Sequence, residues 1–131
     1  MKFMMMMHAP RGTGEYQISS WTPEELRAHI EFMKAFNKDL SAAGEFVMAE
    51  GLAPPGAARM VRGGPAGETI TDGPFAESKE FLVGYWIVDV ESEQRAFDLA
   101  AKASMAPGPG GKPLHLSIEV RQVMSAPPTE I

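Results

Sequence analysis

Cysteine is absent from the 131-residue chain, which excludes a disulfide scaffold, thiolate metal sites, iron–sulfur clusters and thiol catalysis. A basic excess is missing as well: 12 Lys and Arg stand against 17 Asp and Glu, for a formal net charge of −5. Nucleic-acid binders neutralise phosphates with clustered cations, so this balance argues against such a partner. Long apolar runs are also lacking. Phe3 to Met7 is a short apolar stretch that ends at His8, Pro10 and Arg11. A secretory leader needs roughly 7–15 apolar residues and a membrane span roughly 20. The chain reads as cytoplasmic, with no membrane attachment.

What is present suits a single globular domain over 1–131, with its core in about 1–124 and a loose tail over 125–131. Residues 3–8 read as a buried strand, and the Met4–Met7 run as pliable core filler rather than a soft-metal site. A helix follows. Thr22 caps it, Pro23 takes its first position, Glu25 completes a capping box, and Gly44 supplies the stop. Leu26, Ile30, Met33, Phe36 and Leu40 recur along it at helical spacing, and His29 falls inside the same arc.

Beyond Gly44 the period changes to that of strands, over 45–52, 57–62, a short piece at 68–71, and 81–90. Gly63 to Gly67 reads as a hairpin connection, since it lacks the lysine and following helix of a phosphate loop. A second helix over about 92–104, with Ala96, Phe97, Ala100 and Ala103 along one side, leads through a Gly/Pro-rich loop to a last strand over 114–124. The order β-α-β-β-(β)-β-α-β is that of an α+β, ferredoxin-like split βαβ fold.

Such a fold covers one face of its sheet with helices. The strand over 81–90 is apolar on both sides, with Phe81, Val83, Tyr85 and Ile87 on one and Leu82, Trp86, Val88 and Val90 on the other. Strands of that kind are covered on both faces. A homodimer packed sheet to sheet meets that need, and long loops folded over the open face are the alternative. On the last strand His115, Ser117, Glu119 and Arg121 form a polar row opposite Leu114, Leu116, Ile118 and Val120. The row either lines a space between sheets or is solvated at an edge.

The stretch Asp72-Gly73-Pro74-Phe75-Ala76-Glu77-Ser78-Lys79-Glu80 is the densest in chemistry. Asp72 suits an Asx turn, Gly73 allows positive φ, Pro74 sets the exit, and Phe75 anchors the turn. A structural turn followed by solvated charge accounts for all of it. Together with the GYWIVDV strand, the motif DGPFAESKE resembles the YCII-related family in its DGPF branch, and AFNKDLSAAGEF, AEGLAPP and IEVRQV match in order. The resemblance implies a dimeric α+β barrel, small-molecule chemistry, and an active-site pair of a first-helix histidine and an aspartate. It also implies a sigma factor of the extracytoplasmic-function type as a possible partner.

His29 occupies the similar helix position, and Asp72 is the natural carboxylate candidate. On that reading His29 is general acid or base, because imidazole titrates near neutral pH. Asp72 or Glu77 orients it, and Lys79 or Arg121 holds an anionic group of a small-molecule ligand, with Phe75 and Glu80 at the site. The alternatives stand beside these roles: a buried neutral His29 bonded to a backbone carbonyl, a surface pair at Lys79 and Glu80, and an Arg121 that pairs with a carboxylate such as Glu119. A non-catalytic ligand-binding or regulatory module needs the same dimer and pocket without the acid–base pair. No cofactor is implied. His8, His29 and His115 lie on separate elements, without metal-ligand spacing.

Overall fold

Strand β1 (Lys2–Pro10) opens the chain and alternates strictly, burying Phe3, Met5, Met7 and Ala9 while Met4, Met6 and His8 turn the other way. The computed structural model describes residues 1–10, 18–73 and 79–124. Helix α1 (Pro23–Ala42) begins as its sequence requires. Thr22 Oγ1 accepts from the Glu25 backbone N–H at 3.2 Å, and the Glu25 carboxylate accepts from the Thr22 N–H at 2.8 Å. It ends in a Schellman motif, in which Gly44 N–H bonds Ser41 O, Glu45 N–H bonds Leu40 O, and Gly44 takes a φ of +74°. The buried stripe is His29, Phe36 and Leu40, flanked by Phe32 and Met33. Ile30, expected in that stripe, lies one position off it and is exposed.

Next come β2 (Phe46–Gly51), the hairpin β3 (Arg59–Arg62) and β4 (Thr69–Asp72), β5 (Glu80–Asp89), helix α2 (Glu93–Ala103) and β6 (Ser117–Gln122). The main sheet has the order β2-β5-β1-β6, every neighbouring pair antiparallel. Helix α1 therefore joins β1 to a parallel β2 with β5 between them, and α2 joins β5 to a parallel β6 with β1 between. These are two interlocked split βαβ units. Both helices pack into one core with Phe3, Met5 and Met7, on one face of the sheet. Strands β3 and β4 form a separate two-stranded ribbon. No helix among the described residues is long and apolar enough to cross a membrane.

Three local expectations are corrected. On α2 the buried side is Ala96, Leu99, Ala100 and Ala103, with Phe97 44% exposed. The i, i+3, i+4, i+7 row runs through Leu99, and its three alanines bring the helix close to the sheet. On β5 the alternation breaks at a bulge. Met7 opposes Gly84 but His8 opposes Leu82, so Phe81 shares the core face with Ala9 and Leu82 the open face with His8. On the last strand, His115 has a φ of +52°, and β6 starts only at Ser117. A left-handed residue cannot carry the strand ladder, so the polar row is Ser117, Glu119 and Arg121.

The open face has a clear layout. Across the sheet, one row is Met48, Ile87, Met4 and Arg121, and the next is Glu50, Tyr85, Met6 and Glu119. In these two rows the central strands carry Ile87, Met4, Tyr85 and Met6, and the charged groups stand on the outer strands, while the next pair along the central strands is Lys2 and Asp89.

Candidate functional site

His29 is held by two elements. Burial of the α1 stripe brings the imidazole under the connection from α2 to β6, where Nδ1–H donates to Pro107 O at 2.9 Å. That connection is itself tied down: Pro107 bridges Pro113, Gly108 N–H donates to Lys112 O, and Gly110 N–H donates to the Glu25 carboxylate. Glu25 thus caps α1 and clamps the loop whose carbonyl orients His29. Both backbone donors, Gly110 first, hold its carboxyl below the usual carboxylate range. The Trp21 ring stands edge-on to the imidazole, with centroids 5.3 Å apart.

His29 is 7% exposed. Burial disfavours its charged form and outweighs the Pro107 carbonyl, so its pKa lies below the ordinary 6.5. At neutral pH it is uncharged. With the proton fixed on Nδ1 by the carbonyl, Nε2 carries the lone pair.

Beside it lies an open cavity of about 290 Å³, between α1 and the β2–β5 edge of the sheet. Its wall on α1 is His29, Met33 and Asn37, spaced one helical turn apart. Its floor is the space left by small residues. Ala49 opposes Trp86, and Gly51 opposes Gly84, which opposes the buried Met7, so these residues share the core face. A Cβ on Gly84 would meet Glu50 O at 2.9 Å, so only glycine allows β2 this close. The Trp86 Nε1–H donates to Asn37 Oδ1 at 2.8 Å, which leaves the Asn37 amide N–H groups as donors.

A profile of the YCII-related domain matches residues 1–108. The chain belongs to the YCII-related family. It is also similar to an uncharacterised protein of Rhizobium meliloti (strain 1021), at 36% identity over 114 residues, covering 86% of this chain and 87% of that one.

In this YCII-related protein the residues expected at the site are dispersed. Asp72 ends β4 on the separate ribbon, paired with Arg59 Nε at 3.5 Å and with its side chain 96% exposed. It does not border the cavity with His29. A backbone carbonyl, Pro107 O, holds Nδ1 of the imidazole, because the α2–β6 loop crosses over α1. Lys79 and Glu80 border a shallower hollow with His8, Ser117 and Glu119, where His8 Nε2 meets Glu119 Oε1 at 3.1 Å. Arg121 is exposed on β6 opposite Met4. The expected Arg121–Glu119 pairing is absent among the described residues, Glu119 being taken by His8 across the β1–β6 ladder. Phe75, Glu77 and the 125–131 tail lie outside the described residues. Among the described residues no group of three His, Asp or Glu is arranged to hold a metal ion.

The sequence reading did not single out Asn37, Met33, Trp86 as a site residue, or the glycine floor. The signals were there: residues 29, 33 and 37 share one helix face, and isolated glycines in strands at 51 and 84 mark close approach.

The depressed His29 pKa has a consequence for stability. Between the folded value and the ordinary 6.5 the unfolded chain binds a proton that the folded chain does not. Stability therefore rises with pH through that window. The contribution is fully present above the unfolded value and is lost as pH falls through the folded one. Urea midpoints measured from pH 7.5 to about 5, a span chosen to bracket the ordinary imidazole value, should drop further for the unmodified protein than for His29→Gln. Equal drops would show that His29 does not titrate differently on folding.

Proposed function

We propose that this YCII-related protein binds a small organic molecule in the cavity beneath α1, that His29 exchanges a proton with it, and that the working unit is a homodimer joined through the open sheet face. One observation carries the reading: a buried, neutral imidazole, its tautomer set by Pro107 O, borders an open cavity. Imidazole in that state is a base suited to neutral pH. Proton removal next to a carbonyl leaves charge on its oxygen. The Asn37 amide N–H groups, aimed by the bond from Trp86, are placed on the same wall to donate to it. In this reading Asp72 belongs to the ribbon and has no part in the proton transfer.

Binding without turnover is the second reading, and one feature favours it. The partner of Nδ1 is an uncharged carbonyl, which stabilises an imidazolium less than a carboxylate does.

Hydrogen–deuterium exchange separates the two. Cyclohexanone in D2O should lose its α-proton NMR signals faster with the unmodified protein than with buffer. His29→Gln should remove about 10²–10⁴-fold of that acceleration, the usual worth of a positioned acid–base group. Equal exchange by the two proteins would leave only the binding reading.

A further inference from the structure

The cavity beside His29 has a wall and a floor whose chemistry narrows its ligand. On the core side of the sheet its side chains are Met7, His29, Met33, Asn37, Val83 and Trp86, with Ala49, Gly51 and Gly84 beneath. No lysine or arginine borders it among the described residues. Glu50 borders it, but its register partner is Tyr85, whose hydroxyl contacts Met48 Sδ on the open face, so the Glu50 carboxylate belongs to that other face. Among the described residues the core-side groups are therefore an uncharged imidazole, an amide, two thioethers, an indole, the Val83 side chain and bare backbone. We infer that the cavity takes an uncharged molecule of about one ring that bears a hydroxyl or carbonyl group, and that it discriminates against carboxylates and ammonium ions.

Size and charge both enter. An apolar cavity of about 150 Å³ accommodates benzene, so about 290 Å³ accommodates a ring with a substituent. A charged ligand entering there gives up part of its water with no opposite charge on the core side among the described residues, whereas a hydroxyl or carbonyl exchanges its water for the Asn37 amide. Lys79 and Arg121, the cations expected to hold an anionic ligand, lie elsewhere: Lys79 at the second hollow and Arg121 on the open face. The inference rests on the cavity being the ligand site but not on His29 moving a proton.

The floor supplies the test. A Cβ built on Gly51 meets nothing within 4 Å, so a larger side chain there occupies the cavity without displacing the strand. The probes are benzyl alcohol, benzylamine and benzoate, titrated into the full chain at pH 7.5 and followed by NMR at the Trp86 indole N–H. Benzyl alcohol should bind at least tenfold more tightly than either charged probe, and Gly51→Leu should abolish its binding with the circular dichroism unchanged. Should Gly51→Leu fail to fold, Met33→Trp fills the same space from the helix side. The inference is overturned if benzoate or benzylamine binds as well as the alcohol, if none of the three binds, or if filling the floor leaves binding intact. A tenfold preference for the alcohol together with no His29-dependent deuterium exchange supports this inference and removes the catalytic reading alone.

Discussion

Trp86→Ala is expected to lower the free energy of unfolding by about 3–5 kcal/mol, the usual range for emptying a buried aromatic position. Trp86 is 5% exposed at the middle of β5, in register with Met5 on one side and Ala49 on the other. Its ring meets Phe36 edge-on with centroids 5.4 Å apart, an arrangement that adds to simple burial. The neighbours cannot close over the gap. Ala49 is too short, and the existing cavity lies on the same side, so truncation enlarges a void instead of collapsing it. Trp86→Phe keeps most of the packing and removes only the indole donor to Asn37 Oδ1. It should cost about 1–2 kcal/mol, and little of that should remain in an Asn37→Ala background, since the two changes remove one bond. Guanidinium unfolding of the parent, the three single variants and the double variant reads all of these values. A Trp86→Ala protein within 1 kcal/mol of the parent, on the same scale, would mean that the α1–sheet core relaxes freely around this site.

The features legible in the sequence were those written in adjacent residues. Thr22, Pro23 and Glu25 specify the start of α1, and Gly44 its end, because capping and left-handed turns are settled within a few positions. The burial of His29 followed from helical period; its acid–base reading came from the resemblance, with the buried neutral imidazole as the alternative. Pro107 O turns out to be the backbone carbonyl of one, and the cavity gives the other its room. The six strands and two helices also lay in the expected order.

What failed was non-local. The bulge that swaps Phe81 for Leu82 on the core face depends on how β1 lies against β5, and no residue in either strand announces it. The choice of Asp72 as partner to His29 came from the histidine–aspartate pair that the resemblance implies, and no local pattern says which elements Asp72 meets. The strand it ends pairs with β3 and leaves Asp72 beside Arg59. The glycine floor requires Gly51 and Gly84 to be seen as opposites across the β2–β5 ladder, a matter of register between strands far apart in sequence.

Met6→Glu is expected to convert the protein from a species of twice 14.2 kDa to one of 14.2 kDa by multi-angle light scattering at micromolar concentration. Met6 sits at the centre of the open face, flanked by Tyr85 and, in the neighbouring row, by Met4 and Ile87, with Glu50, Glu119 and Arg121 on the outer strands. An apolar centre within a charged rim is the anatomy of a protein interface. A two-fold pairing of such faces is self-complementary, so one substitution enters twice. Two desolvated carboxylates, each in register with Tyr85 and Glu119, should weaken association by at least about 4 kcal/mol, a thousandfold in the dissociation constant. The fold of each protomer should survive, because Met6 points away from Met5 and Met7, which are 0% and 3% exposed in the core. Far-UV circular dichroism should therefore be unchanged while the mass halves, and Met6→Leu should remain dimeric. If the unmodified chain already scatters at 14.2 kDa, segments of its own backbone shield the apolar rows, and any chemistry at His29 is completed within a single protomer.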